Sequence, residues 1–259
     1  MMWLIDLGQM IVNAVYRSGE FCTKSILQVW RGMKNWQGWY LVLKQFYLLC
    51  FRSLSIIILC AAFVGAIITY QGYITLDQFG SSEGLSQLVA LSLYRELGPV
   101  LTALLFAGRS ASSVTAELVL MRTGDQIDAI KVMGGSISGL LIMPRYLASW
   151  TGLVFLTLVF NAVAVCAGAL MAQAAFDMDI YAFLERLRSD VPFNPNITSS
   201  IVKSLLFAVW ISFVMVYNGF HSPKTNQGIA AGVTQTVVAS SIGIFVIDYL
   251  LTVFFPIGG

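Results

Sequence analysis

Five long apolar runs constrain the fold of this chain more than any other feature. Each is close to the ~20 residues with which an α-helix crosses the ~30 Å hydrocarbon core of a bilayer. Because lipid offers the backbone no hydrogen-bond partners, each run must be helical. The sequence therefore predicts an all-α polytopic membrane protein with five transmembrane helices. The five runs are about Phe46–Tyr70, Leu85–Phe106, Leu147–Ala172, Ile201–Tyr217 and Val233–Phe255.

Composition agrees with a membrane domain and excludes several other classes. Hydrophobic residues make up 58% of the chain and charged residues 11%, whereas about a quarter of a soluble domain is charged. The net charge of +2 is small, so no nucleic-acid partner is predicted. The 4 cysteines have no metal-ligand spacing, so neither a metal site nor a disulfide framework is expected.

The distribution of lysine and arginine predicts the orientation of the chain. With the N-terminus in the cytosol, only Arg186 and Arg188 of the 15 lysines and arginines fall in outer segments. Arg95 and Lys203 lie inside or beside spans, and all the others are cytosolic. This asymmetry follows the positive-inside rule, so the C-terminus is expected on the outer side.

An amphipathic segment precedes the first span. Leu4, Leu7 and Ile11 recur at helical spacing, and a cluster of tryptophans follows among basic residues. Tryptophans at headgroup level and one apolar helix face favour helices that lie in the membrane interface. The alternative is a cytosolic helix packed on a partner protein. We therefore divide the chain into N-terminal interfacial helices (1–42) and a five-span domain (43–259).

Two segments are expected on the outer side. Gln71–Gly84 is interpreted as a short outer loop that carries Tyr73, Leu76 and Phe79. Because apolar side chains in such a loop would be poorly placed in water, we expect them to form the wall of a lipid-binding cavity. Phe176–Leu187 has the pattern of a short amphipathic helix.

The second apolar run contains two adjacent charges, Arg95 and Glu96, followed by Leu97. Charges at membrane depth are costly and usually face a cavity, a partner or a substrate path. Neighbouring helical residues point about 100° apart, so this pair cannot close on itself. Gly98-Pro99 is expected to bend the helix beside the charges. In the alternative interpretation Arg95 extends to the headgroups and Glu96 bonds to a neighbouring helix.

Lys203 and Asp248 place two more charges in the fourth and fifth spans. They could converge on the cavity that receives Arg95 and Glu96, with Lys203 pairing to Glu96 between transport steps. Alternatively, Lys203 extends to the lipid headgroups and Asp248 makes an interhelical hydrogen bond.

The connection between the second and third spans is polar and punctuated by Gly124 and Gly134. Glycine here is expected to end helices, leaving a short cytosolic coupling helix between the spans. A cytosolic partner could grip the membrane domain at such an element. The candidate coupling residues are Glu117, Met121, Gln126, Ile127, Asp128 and Ala129.

The motifs of this region resemble the MlaE/YrbE permease family. Upstream matches are Gln71-Gly72-Tyr73, Arg95-Glu96-Leu97-Gly98-Pro99-Val100 and Phe106-Ala107-Gly108-Arg109. The chain departs from the family after Gly134, where it has Gly135-Ser136-Ile137 in place of a Val-Asp-Pro-like turn. The central motifs are Glu117-Leu118-x-x-Met121, Gln126-Ile127-Asp128-Ala129, Val132-Met133-Gly134 and Pro144-Arg145.

The resemblance implies the membrane subunit of an ABC-type transporter that moves phospholipids between the inner and outer membranes and so maintains outer-membrane lipid asymmetry. It implies a homodimer in the bacterial inner membrane, with the C-terminus in the periplasm. The implied partners are cytosolic ATPase subunits, periplasmic lipid-binding subunits of the MCE type and, optionally, a small cytosolic STAS-like accessory subunit.

The chain lacks the phosphate-loop and zinc-protease motifs. Neither GxxxxGK[ST] nor HExxH occurs, and the single histidine, His221, has no evident triad or metal companions. We therefore expect no bound cofactor, with ATP hydrolysed by a partner. Two alternatives stay open: an ion-coupled secondary transporter with Glu96 as proton carrier, although no inverted repeat is visible, and an intramembrane lipid-modifying enzyme using Glu96 and Asp248.

Overall fold

The computed structural model describes residues 36–80, 84–190 and 193–254, and these residues form a bundle of helices. Five of the helices (α1, α2, α4, α6 and α7 below) are long and apolar enough to cross a membrane. This confirms the predicted all-α, five-span architecture. The helices are α1 (Trp36–Gln78), α2 (Leu85–Thr123), α3 (Gln126–Val132), α4 (Ser138–Phe176), α5 (Ile180–Asp190), α6 (Phe193–His221) and α7 (Asn226–Phe254).

The helices extend well past the apolar runs, and this corrects one prediction. The 43 residues of α1 correspond to about 65 Å, roughly twice the hydrocarbon thickness. Tyr73 and Leu76 therefore lie on α1. The prediction of an outer loop is wrong for residues 71–78, which belong to this helix. The segment contains no proline that would stop the helix. α1 ends in a turn at Phe79, where Gly80 has a φ of 65°.

The predicted boundary between residues 42 and 43 falls inside α1. Residues 1–35 of the predicted interfacial segment lie outside the described residues. The assignment of that segment to the membrane interface stays a prediction.

α1 and α4 run parallel and pack closely through small residues. Gly65 lies against the backbone of Ala164, and Gly168 against the hydroxyl of Thr69. Because lipid is as apolar as leucine, membrane helices associate largely through such close backbone approach. A side chain at Gly65 would separate the two helices that hold the bundle together.

α2 contains two π-helical turns, Leu93–Leu97 and Ala107–Ala111. The helix continues through Gly98–Phe106, so its irregularity lies in the turn before Gly98 and not in a break at Gly98-Pro99. A proline ring clashes with the carbonyl four residues earlier, which belongs to this π turn. The turn holds Arg95 and Glu96, and such turns are frequent at functional sites.

The predicted outer amphipathic helix begins later than expected. Phe176 is the last residue of α4, because Asp177 adopts a left-handed conformation with φ 51° that ends the helix. The amphipathic helix is α5, which buries Phe183 and Leu187.

Burial is uneven among the spans. In the most apolar 18 residues of each span, 61% of α6 positions are buried but only 17% of α7 positions. α7 exposes large apolar side chains, among them Phe245 and Val246. One side of the bundle is thus formed by a helix that leaves most of its apolar surface uncovered in the described part of the subunit.

Candidate functional site

An intramembrane ion pair joins α6 to α7. Lys203 on α6 is buried, and its Nζ donates to Oδ1 of Asp248 at 2.8 Å and to Oγ1 of Thr252 at 3.0 Å. The two charges that the sequence placed in different spans therefore meet. A buried lysine without such partners would carry a large desolvation cost.

Arg95 is bound to α6 as well. Its Nε donates to Oδ1 of Asn196 at 2.8 Å, and Asn196 is buried. Asn196 and Lys203 are seven residues apart, two helical turns, so they lie on one face of α6. We call the group formed by Arg95, Asn196, Lys203, Asp248 and Thr252 the polar seam. Sequence analysis did not identify Asn196 or Thr252 as members.

Glu96 and Leu97 stand apart from the polar seam. Both side chains are exposed on α2, and Glu96 has no ion-pair partner within residues 36–80, 84–190 and 193–254. The expected Lys203–Glu96 pair is not formed in this structure, because Lys203 is taken by Asp248. The exposed carboxylate of Glu96 and the guanidinium of Arg95 thus lie beside an apolar surface.

The three predicted wall residues differ in their surroundings. Tyr73 stacks on Phe176 with ring centroids 3.7 Å apart. Leu76 packs half-buried against the core, and Phe79 is exposed. Of the three, Phe79 is the most accessible to a lipid chain.

The α3 end of the bundle carries the predicted coupling residues, but the structure divides them into two groups. Ile127 is buried and anchors α3, whereas Gln126, Asp128 and Ala129 are exposed on it. Gly134 follows α3 with a φ of 76°, as expected for a residue that ends a helix.

Glu117 and Met121 do not lie in the connection, as the sequence predicted, but on α2. Both contact Arg145 of α4, which is only 2% exposed. Its Nη2 lies 2.9 Å from Oε1 of Glu117 and 4.0 Å from Sδ of Met121, and Nη1 donates to the carbonyl of Leu141 at 2.9 Å. The group braces α2 against α4. The Glu117-Leu118-x-x-Met121 and Pro144-Arg145 motifs indicated its members, but nothing in the sequence indicated that they meet.

The connection between α6 and α7 is fastened to the α3 region. Nζ of Lys224 donates to Oδ1 of Asp125 at 2.9 Å and to Oδ2 of Asp128 at 3.4 Å, and Nη1 of Arg122 donates to the carbonyl of Ser222 at 2.8 Å. Hydrogen bonds from Lys131 and then Lys224 lower the pKa of Asp128. The bond to Asp125 raises the pKa of Lys224. We call the Lys224–Asp125–Asp128 contact the latch.

Two apolar side chains at the end of α3 are unusually exposed. Val132 is 89% exposed and Met133 77%. In the sequence, Val132 and Met133 were recognised only as part of the Val132-Met133-Gly134 motif, and no role was predicted for them. Apolar side chains this exposed beside a charged helix are typical of a contact surface for another protein.

The side chains that could bind a metal or act in catalysis are dispersed in the described part of the chain. Within the described part of the chain, no three His, Cys, Asp or Glu side chains could hold a metal ion. His221 stacks on Tyr217 with ring centroids 4.2 Å apart. Asp248 is paired with Lys203, a group of opposite charge. It is not paired with a second carboxylate, as the enzyme alternative would require.

Comparison with known proteins identifies similar chains over most of the length. The family model "Permease MlaE" matches residues 42–254, which run from the first turns of α1 to the end of α7. The intermembrane phospholipid transport system permease protein MlaE of Haemophilus influenzae is 36% identical over 212 residues, 82% of this chain and 81% of the relative.

Two further relatives come from other lineages. A "Probable ABC transporter permease protein" of Rickettsia conorii is 32% identical over 83% of both chains. The chloroplastic protein TRIGALACTOSYLDIACYLGLYCEROL 1 of Arabidopsis thaliana is 31% identical over 89% of this chain and 65% of its own.

Proposed function

The chain belongs to the MlaE permease family, and we propose that it is the membrane subunit of an ABC transporter that moves phospholipids between the inner and outer membranes, so maintaining outer-membrane lipid asymmetry. The observation that carries this proposal is the polar seam within a bundle whose five spans are predominantly apolar. A diacyl lipid needs apolar walls for its chains and few charges for its phosphate, and this bundle offers both.

The polar seam supplies chemistry suited to a phospholipid headgroup. Arg95 has a planar guanidinium, which binds phosphate through two parallel hydrogen bonds. A phosphate could replace the amide oxygen of Asn196 as its acceptor. Glu96, exposed beside it, would repel the phosphate and keep binding weak enough for release.

A second copy of the chain completes the cavity in this proposal. The exposed apolar face of α7 fits a homodimer contact, because that helix has little cover from its own subunit. Two-fold symmetry would place two polar seams around one cavity. Phe79 would contribute to the apolar wall.

The α3 end is the proposed contact for a cytosolic ATPase, which hydrolyses the ATP while this chain binds no cofactor. Val132 and Met133 offer an apolar contact, and Gln126 and Asp128 a polar one. Force applied to α3 would reach α7 through the latch. Because α7 carries Asp248, a movement of α7 would also displace that member of the polar seam.

The proposed setting is the bacterial inner membrane, with the N-terminus in the cytosol and the C-terminus in the periplasm. The periplasmic partners would be lipid-binding subunits of the MCE type, and a STAS-like subunit could join the ATPase. The lysine and arginine distribution supports this orientation. The lipid-modifying enzyme is disfavoured because Asp248 is held by Lys203.

Reconstitution tests the proposal against the ion-coupled alternative. The chain, expressed with its neighbouring subunits, should co-purify with an ATPase. In proteoliposomes it should transfer fluorescent phospholipid to acceptor vesicles only when ATP is supplied. Transfer driven by a proton gradient without ATP, by a preparation that lacks an ATPase, would contradict the proposed function.

A further inference from the structure

A polar cavity of about 230 Å³ lies between α1 and α2, away from the polar seam. Arg52 and Arg109 line it together with Gln45, Ser113 and Glu117. At ~30 Å³ for each water molecule in the liquid, the cavity has room for a phosphate group and its first substituents. Nothing in the proposed transport path uses these residues.

The sequence around the two arginines favours a position at the level of the lipid headgroups. Arg52 immediately precedes an uncharged stretch that continues to Asp77, and Arg109 ends the uncharged stretch that follows Glu96. Cationic side chains at the border of an apolar span extend to the interface, where they meet phosphates. The assignment of this end of the bundle to the cytosolic side of the membrane rests on the proposed function.

The serine hydroxyls at the floor of the cavity already make hydrogen bonds within the protein. The hydroxyls of Ser53 and Ser110 lie 2.7 Å apart, and Ser110 donates to the carbonyl of Leu49 at 3.0 Å. Neither residue therefore competes for the arginines.

The charge of the cavity favours an anion. Both guanidinium groups are exposed and have no hydrogen-bond or ion-pair partner in the residues that the structure describes. The one acidic side chain, Glu117, is paired with Arg145 at 2.9 Å. Two unpaired arginines beside a neutralised carboxylate leave a net positive site, and guanidinium groups bind phosphate with two donors each.

We propose that this cavity is a second lipid site, which binds the phosphate of an anionic phospholipid in the leaflet nearest α3. It is separate from the polar seam: Arg95 and Arg109 are 14 residues apart on α2, about 20 Å along the helix. The site would hold a lipid headgroup at the opposite end of the same helix.

Photolabelling tests the site directly. The wild-type complex is placed in phosphatidylcholine nanodiscs that contain a small fraction of phosphatidylglycerol with a photoreactive headgroup, and labelled peptides are identified by mass spectrometry. We expect labelling around residues 45–53 and 109–117. Arg52→Gln with Arg109→Gln should reduce it about tenfold, because both lost contacts are made by exposed guanidinium groups that water and salt screen. Arg52→Lys with Arg109→Lys should retain part of it.

Lys44→Gln is the matched control, because Lys44 is an exposed cation on α1 that does not line the cavity. It should change labelling less than about twofold, as expected for a screened surface charge. Labelling that is equal in the wild type and the double glutamine variant would overturn the site. If the same wild-type complex moves phospholipid with ATP, the proposed function would survive that result.

A second measurement separates a lipid from a soluble anion. Inorganic phosphate and a water-soluble short-chain phosphatidylglycerol are compared for their shift of the melting temperature of the detergent-solubilised complex. We expect stabilisation by the lipid, lost in the double glutamine variant. Equal, arginine-dependent stabilisation by inorganic phosphate would assign the cavity to free phosphate and overturn the lipid assignment.

Discussion

The polar seam and the latch both join α7 to the rest of the bundle through a lysine–aspartate contact, but in opposite surroundings. Lys203 and Asp248 meet in the membrane with Lys203 buried, whereas Lys224, Asp125 and Asp128 are in the open at the end of the bundle. Buried charges cannot separate without leaving an unpaired ion. Exposed charges exchange their partner for water and salt at little cost. The first contact is suited to holding helices together, and the second to being made and broken.

Breaking the buried contact should have the largest effect on stability. Lys203→Met leaves Asp248 unpaired within the membrane. We expect a loss on the order of 2–3 kcal/mol, less than the ~3–5 kcal/mol of a fully buried pair, because Asp248 is 22% exposed. This corresponds to a fall in melting temperature of roughly 4–12 °C, measured on the purified protein in detergent.

The companion variant Lys203→Met/Asp248→Leu removes both charges and should recover most of the loss. Lys44→Met, which removes an exposed lysine, serves as the control. A single variant as stable as the wild type would show that the pair does not hold α6 to α7.

The next effect should appear at α3. Asp128→Arg or Gln126→Trp places a wrong charge or a bulky group on the exposed side of the helix without touching the buried Ile127. Membrane insertion should be unchanged, while lipid-stimulated ATP hydrolysis and ATPase binding fall about tenfold, or ~1.4 kcal/mol of contact energy. Normal hydrolysis and normal partner binding in these variants would show that α3 does not couple the subunits.

Much of this architecture was predictable from hydropathy, since each of the five spans contains an apolar run of membrane length. The contacts across the bundle were not. Arg95 and Asn196 are 101 residues apart, and helical periodicity indicates a face without naming the helix that packs on it. Glu117 and Met121 were predicted in the connection between the second and third spans because the segment is polar. They lie on α2 because a buried arginine of α4 provides their partner.

A smaller effect distinguishes the residues near the outer turn. With photo-crosslinking amino acids, Phe79 should capture phospholipid about threefold better than Leu76, which is half-buried against the core. Capture at Phe79 should also exceed capture at Phe155, an exposed residue of α4 that serves as the reference for bulk lipid. Capture equal to that at Phe155 would remove Phe79 from the cavity wall.

The smallest effect on stability should come from the latch. Lys224→Gln removes contacts between exposed groups, so melting temperature should barely move and any difference should vanish in high salt. The pKa of Asp128 is lowered in the folded protein. The contribution of Asp128 to folding stability is therefore complete above the unfolded pKa of about 4. It is lost as the pH falls through the lower pKa of the folded protein. A large melting shift at neutral pH would contradict this assignment.

The central claim is that the polar seam binds the lipid headgroup while the α3 end binds the ATPase. One experiment tests both halves: lipid transfer and ATP hydrolysis are measured together in proteoliposomes for Arg95→Glu, Glu96→Lys and Asp128→Arg, with Glu185→Lys on the exposed face of α5 as control. We predict that the two variants on α2 assemble with the ATPase and hydrolyse ATP but transfer phospholipid about tenfold more slowly. Arg95→Glu loses one charge-assisted contact with the phosphate, and Glu96→Lys binds the phosphate too strongly for release. Asp128→Arg should lower hydrolysis and transfer together. Wild-type transfer rates in an assembled Arg95→Glu or Glu96→Lys complex would show that these charges are structural and would contradict the account.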